Sequence, residues 1–247
     1  MIIKDGTGVP EKALRRLWQE AFGDPDSFLD LFFATAYAPE RCRVAMDGEL
    51  LSALYWLDCS LEGRPVAYIY AAATHKAHRG KGVFRRLLED THSHLQALGY
   101  DSVMLVSAKG LEDYYGTFGY RFATGYREFT CRAGESPVCL QPVTAAEYGH
   151  LRRPLLRKGA VLQEGAGLAF LEKLARLYRG ENCLLAVYPT EGKLLEYLGD
   201  AELLPGVLKA LDIPTATVRT PGTDDRAMWK PLQPDALRPT YFAFAFE

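Results

Sequence analysis

The sequence predicts an α/β chain in the broad sense (α+β): a mixed sheet flanked by helices, continued by a second, smaller α/β unit. Three observations predict it. Segments with helical spacing of apolar residues alternate with short apolar runs bounded by Gly, Pro and Asp, in the order helix, helix, three strands, helix, strand, helix, strand. An uncharged strand at 67–74 leads through a basic glycine loop, Arg79-Gly80-Lys81-Gly82, into a helix. A Gly-Glu-Ser-Pro stretch at 134–137 marks a boundary, giving units at 1–133 and 134–247.

Pro10 suits a first helical turn, and Leu14, Leu17, Trp18, Ala21 and Phe22 make one apolar face that Gly23 and Pro25 end. Asp26 or Ser27 caps a second, aromatic helix with Phe28, Leu31, Phe32 and Phe33. These rings either pack the core or line a cleft. Strands at 42–46 and 50–58 flank the hairpin signal Asp47-Gly48, and Gly63-Arg64-Pro65 turns the chain into strand 67–74. The helix from Gly82 to Leu98 carries Val83, Leu87, Leu88, Leu95 and Leu98 on one apolar stripe, leaving His92 and His94 expected to face solvent; Gly99 stops it. A strand at 102–106, a short helix at 111–117 and a long strand at 120–132 complete this unit. Beyond the boundary the pattern predicts a strand at 138–143, helices at 145–157 (with Pro154 inside) and 168–178, strands at 183–188 and 193–198, a helix at 202–211, and strands at 216–219, 227–231 and 241–246.

The chain of 247 residues has 48% hydrophobic and 24% charged residues and a net charge of −2, which argues against a chain-wide nucleic-acid footprint. Five scattered cysteines without a Cys-x-x-Cys pair predict free thiols in a reducing compartment and no zinc site. With no signal-peptide layout at the N-terminus and no apolar run of membrane length, a soluble, cytoplasmic protein is expected. One internal echo appears: Asp47-Gly48-Glu49-Leu50-Leu51 recurs as Glu191-Gly192-Lys193-Leu194-Leu195, but the later connector Gly199-Asp200-Ala201-Glu202 is acidic. It predicts a degenerate second copy without an anion site.

A strand, a glycine turn and a helix start together present unpaired backbone N–H groups to an anion. Residues 67–88 resemble the acetyl-CoA segment of the GNAT superfamily of N-acetyltransferases, whose Arg/Gln-x-x-Gly-x-Gly/Ala run is met by Arg79-Gly80-Lys81-Gly82-Val83-Phe84, with Phe84 in place of a small residue. A frame starting at Ala77 keeps both glycines and loses the Arg. Tyr114-Tyr115-Gly116-Thr117-Phe118-Gly119-Tyr120 resembles the family's Phe-Tyr-x-x-x-Gly-Phe run, in the family's order.

The resemblance covers about residues 1–132 and implies a mostly antiparallel sheet. It further implies acetyl-CoA as cosubstrate, with no metal: pantetheine against Ala72, Ala73 and Thr74, pyrophosphate on the N–H groups of Gly80, Lys81, Gly82, Val83 and Phe84, charge from Arg79 or Lys81, and Arg85 or Arg86 toward the 3′-phosphate. Phe84 must then turn sideways into the core. Tyr115 is implied as the acid that protonates the leaving thiolate. The base has weaker candidates in Asp58 and His75. Larger acetyltransferases of the enhanced intracellular survival type look like two GNAT-type domains plus a third, and their chain terminus enters the active site, which adds the carboxylate of Glu247.

The reaction implied is transfer of acetyl to a primary amine of a small molecule or peptide; the alternative is a non-catalytic acyl-CoA-binding or scaffolding protein. Asp24, Asp26, Asp30 and Glu40 either attract a cationic amine or serve as ordinary helix-start acids. The second half is expected to close one side of the acceptor cleft. No nucleic-acid or membrane partner is expected, and the oligomeric state is not readable.

Overall fold

A computed structural model describes residues 1–188 and 191–242. The first half runs β1 (Ile2–Asp5), α1 (Glu11–Phe22), α2 (Asp26–Thr35), β2 (Cys42–Asp47), β3 (Glu49–Leu61), β4 (Arg64–Thr74), α3 (Val83–Ala97), β5 (Ser102–Val106), α4 (Glu112–Gly116) and β6 (Arg121–Arg132). The second runs β7 (Gln141–Pro142), α5 (Ala145–Leu155), β8 (Val161–Gln163), α6 (Gly165–Leu174), β9 (Arg176–Arg179), β10 (Cys183–Tyr188), β11 (Lys193–Gly199), α7 (Leu204–Ala210), β12 (Thr215–Pro221) and β13 (Asp224–Pro231).

All the described strands join one sheet, ordered β1-β2-β3-β4-β5-β13-β6-β12-β11-β10-β9-β7, with β8 added on β3. Only β4–β5 and β11–β12 pair in parallel, each across a crossover helix. The mixed, mostly antiparallel architecture is therefore as the sequence predicts. The tight turns follow local chemistry: Gly48 has φ 73°, and Glu62 and Gly63 both have positive φ, which suits a two-residue hairpin.

One face of the first half buries Leu14, Trp18, Leu29 and Phe32 from α1 and α2 against β3 and β4. The opposite face buries Val83, Leu87, Leu88 and Leu95 of α3 against Trp56, Ala67 and Ile69. Leu98, expected on the same stripe, is exposed. Both faces are thus covered, as the near-continuous apolar runs of β3 and β4 require.

Several expectations change. A division at 133/134 does not separate the sheet, because β13 inserts between β5 and β6, pairing Trp229 with Met104 and with Arg121. The helix expected at 168–178 ends at Leu174; Ala175 is extended and β9 follows, paired with β10. The strand expected at 138–143 shrinks to β7, since Val138 donates its N–H to the Gly206 carbonyl instead. The strand β8 went unread. Of the strand expected at 241–246, Tyr241 makes a single bridge to Ala160, and residues 243–247 lie outside the described residues.

The internal echo is real in topology but displaced by one strand. In each half the strand that enters the parallel crossover follows a Glu-Gly-basic turn, Glu62-Gly63-Arg64 before β4 and Glu191-Gly192-Lys193 before β11. Asp47-Gly48 precedes β3, which has no crossover.

The halves are tied together through their interiors. Arg152 on α5 is fully buried and grips Glu196 of β11 with Nε at 2.7 Å and Nη2 at 2.8 Å, while Tyr148 and Tyr241 donate to the same carboxylate. Its Nη1 donates to Gln163 of β8, the strand that pairs with β3 of the first half. A buried pair so fully hydrogen-bonded recovers the desolvation that an isolated charge would not. Phe170 of α6 meets Phe28 and Phe32 edge-on at 5.6 Å.

Candidate active site

The parallel ladder between β4 and β5 covers only Val66–Tyr68 and Ser102–Met104. Beyond it the strands part, so the β5-facing edge of β4 past Tyr68 has no strand partner. A bulge sits at the parting: Tyr70 pairs with Tyr55 and Ala73 with Ala53, so two residues of β4 oppose one of β3, and Ala71 takes φ 46°. An alanine in the left-handed region is uncommon and marks a backbone shaped for something other than the ladder.

The cleft so opened has a volume of about 890 Å³. One wall is Ile69 to Ala72; the other is Leu105 to Lys109, with Leu111, Glu112 and Tyr115 of the α4 turn. Tyr115 is buried and its hydroxyl makes no hydrogen bond among the described residues. Burial, with the neighbouring Tyr114, pushes its phenol up to about 12. It is therefore a neutral donor throughout the physiological range; an alkyl thiolate, with a thiol pKa of about 8.5, is a weaker base than this phenolate, so it would take the proton only from a phenol within hydrogen-bond reach and with the phenol reprotonated in the same step.

The glycine loop stands beside the cleft. Gly80 and Gly82 have φ 72° and 74°, and a Cβ at either would meet nothing within 4 Å. The glycines are there for conformation, and the space above the loop is open to a ligand. Gly82 is the N-cap of α3, so the N–H groups of Val83, Phe84 and Arg85 lack an intrahelical acceptor. The Val83 side chain enters the core, and Phe84 turns sideways onto Tyr114 and Tyr115, each at 6.3 Å between ring centroids. Phe84 thus clears the backbone cradle as the motif requires. Arg79 folds back, Nε donating to the Thr74 carbonyl at 2.9 Å, and Lys81 is exposed. Arg85 lies over the Phe118 ring at 4.6 Å and reaches Glu89 and Thr117, bracing α3 against the end of α4. Of Ala72, Ala73 and Thr74, only Ala72 lines the cleft; the Ala73 carbonyl accepts from Ser52 Oγ at 2.7 Å.

The other named candidates are held elsewhere. Asp58 lies outside the cleft, paired with Arg41 at 2.6 Å and accepting the Tyr100 hydroxyl at 2.5 Å. His75 is also outside it, 3.3 Å from Glu20, and its Nδ1 caps the turn at Ala77. Glu20 in turn accepts the Lys76 N–H, so α1 pins the approach to the glycine loop. Glu247 lies outside the described residues. His92 is not solvent-facing: it is buried with Nε2 2.8 Å from the Tyr120 hydroxyl, and burial pushes its imidazole down to about 3. Helical spacing put it off the apolar stripe, but Tyr120 packs over that flank as well. Tyr120 meets Tyr115 at 5.8 Å, so the pair backs the Tyr115 ring.

The far end of the cleft was only partly readable. Trp18, Phe22, Asp24 and Phe28 come from the α1–α2 region, and Tyr188, Asp225 and Arg226 from the second half. The aromatic helix serves both expected ends, with Phe32 in the core and Phe28 in the cleft. Lys109, Glu112, Asp225 and Arg226 were missed; the usable signal was that residues following the parting strand β5 must border the gap. Among the described residues no helix is long and apolar enough to cross a membrane, and no cluster of three metal-ligating side chains occurs.

Residues 8–123 match the family model described as an acetyltransferase (GNAT) domain. No curated protein matches the sequence. Among solved structures the fold is similar to a GCN5-related N-acetyltransferase from Anabaena variabilis (14% identity, 94% of this chain and 73% of that one, TM-score 0.73). It is also similar to Eis1 from Mycobacterium abscessus (13%, 94% and 74%, TM-score 0.66) and to a putative acetyltransferase from Pyrococcus horikoshii (17%, 99% and 95%, TM-score 0.59). The motif order, the parted parallel strands and the family match agree: residues 8–123 form a GNAT acetyltransferase domain.

Proposed function

We propose that the chain transfers an acetyl group from acetyl-CoA to a primary amine of a small molecule or peptide, by direct attack of the amine on the thioester. The observation that carries this reading is the cleft itself. The parting of β4 and β5 leaves a free strand edge for pantetheine amides, with Ala72 on its wall. At one end a glycine loop and helix start offer N–H groups and Lys81 to the pyrophosphate. Tyr115, a neutral phenol, lines the same cleft and packs on Phe84 of that helix start, which supports it as the donor to the thioester sulfur.

In this reading the amine nitrogen, as free base, attacks the thioester carbon. The C–N bond forms and the C–S bond breaks, Tyr115 protonates the departing thiolate, and the proton lost by nitrogen restores the phenol. Free amines have a pKa of about 10.4, so the ammonium sheds one proton to water before attack. Asp58 and His75, engaged outside the cleft, are not assigned as base.

Calorimetry with acetyl-CoA, followed by thiol release against an amine panel, tests the reading. Saturable binding and amine-dependent thiol release are expected; no binding overturns it. Binding without thiol release for any amine would instead favour the acyl-CoA-binding or scaffolding alternative.

A further inference from the structure

We propose that the acceptor is a primary amine carrying a single positive charge on an apolar, aromatic body, and that Asp24 is the residue that holds its ammonium group on entry, before that nitrogen sheds a proton to water and attacks as free base. This rests on the acetyltransferase reading above and specifies the acceptor side of the same cleft.

Four acids lie near the aromatic helix, and three are engaged away from the cleft. Asp26 accepts from Gln19 at 2.6 Å, Asp30 pairs with Arg15 at 2.7 Å, and Glu40 lies 3.8 Å from Arg41. Asp24 alone of the four lines the cleft. It sits at the break between α1 and α2, where Gly23 at φ 74° reverses the chain. Its Oδ2 accepts the Trp18 Nε1 proton at 2.7 Å, which fixes the carboxylate, and it has no ion-pair partner among the described residues. Half-buried and fixed in position, this carboxylate is available to pair with a cation that enters the cleft.

Its surroundings define the rest of the ligand. Trp18 stacks near Tyr70 at 5.6 Å and Phe28 at 6.3 Å, and Tyr188 from the second half completes this aromatic end. Phe22 and Leu111, 48% and 43% exposed, face the same cleft and would lose water only against an apolar body. Ring faces also favour a nearby cation. The wall is rigid, because Phe170 of α6 holds Phe28 from behind.

The charge count limits the ligand to one cation. Asp24, Glu112 and Asp225 line the cleft against Lys109 and Arg226, three minus two, leaving one net negative charge. Neither Lys109 nor Arg226 has an ion-pair partner among the described residues, so both repel a second ammonium group. Arg226 lies 5.4 Å over the Tyr126 ring. A polyamine or an aminoglycoside would meet both cations.

Phenethylamine, spermidine and a lysine-containing peptide, each with acetyl-CoA, separate the classes by thiol release. The expected result is at least a tenfold higher kcat/KM for phenethylamine than for the other two. Asp24→Asn should raise the phenethylamine KM at least tenfold while leaving the calorimetric Kd for acetyl-CoA within twofold. In the unaltered protein, phenethylamine should compete at least tenfold better than phenethyl alcohol against a chromogenic acceptor, which does not depend on the variant folding. Preference for spermidine or peptide, no phenethylamine turnover, an unchanged KM in Asp24→Asn, or equal competition by the alcohol overturns the proposal. In each of those cases intact acetyl-CoA binding leaves the acetyltransferase reading standing, whereas loss of acetyl-CoA binding in the unaltered protein removes both.

Discussion

The molecule contains the same strand–helix–strand crossover twice, β4–α3–β5 and β11–α7–β12, and only the first opens into a cleft with a glycine loop beside it. Both follow an antiparallel hairpin closed by Glu-Gly-basic. They differ in what comes after. Between β4 and α3 lie Lys76, Arg79 and Lys81, with Gly80 and Gly82 in left-handed conformation; between β11 and α7 lies Asp200-Ala201-Glu202, a tight turn whose Asp200 side chain accepts the Glu202 N–H. The helix after the first is 15 residues long and after the second only 7. Four residues after the turn glycine, the first strand has Ala67 and the second has Glu196, locked to Arg152. One copy keeps a glycine loop, an open helix start and positive charge, while the other spends its polar groups on internal cohesion. Topology alone does not distinguish the two; the connector does.

The largest expected effect tests the chemistry of the first copy. Tyr115→Phe should lower kcat by about 10²- to 10⁴-fold with little change in acetyl-CoA Kd. Because the phenol is held at about 12, wild-type kcat should show no loss attributable to Tyr115 between pH 8 and 10. Steady-state rates across that range check both.

Next, Glu196→Ala removes the buried carboxylate that Arg152, Tyr148 and Tyr241 share and should lower unfolding free energy by about 3–5 kcal/mol, read by denaturant titration. Binding of acetyl-CoA per folded molecule should be unaltered, which would separate the structural copy from the ligand-binding one. Gly82→Val puts a β-branched residue at φ 74° with open space around it, so its penalty is conformational, about 1–2 kcal/mol. Calorimetry should show acetyl-CoA affinity falling by roughly 5- to 30-fold.

The smallest effect concerns His92. Its folded pKa lies below its unfolded value, so the unfolded chain binds more protons between about 6.5 and 3, and stability is lost as pH falls through that window. His92→Gln should flatten that part of the acid-unfolding curve.

Much of the first half was legible in the sequence because its signals are local. The glycine loop, the α3 stripe and the Tyr115 run each need only a few adjacent residues to be read, and Phe84 turns onto Tyr114 and Tyr115 as the motif demanded. What failed was non-local. The insertion of β13 between β5 and β6 depends on which edge is left unpaired after β5 turns away, and no period along residues 224–231 encodes that. His92 looked solvent-facing because the helix stripe was taken from one packing partner, whereas Tyr120 supplies a second. Asp24 could be named but not distinguished from Asp26 and Asp30, since only the packed side chains decide which carboxylate already has a partner. The echo was misplaced by one strand because Asp47-Gly48 and Glu62-Gly63 are alike as turns; the parallel partner that tells them apart lies some forty residues away.

The central claim is that one of the two crossovers binds the cofactor and the other does not. Titrating the intact chain with acetyl-CoA by calorimetry tests it most directly. The account predicts saturable binding at one molecule per chain, weakened by Gly82→Val and untouched by Glu202→Gln in the second connector. Two molecules per chain, no saturable binding, or a loss of binding through Glu202→Gln would contradict it.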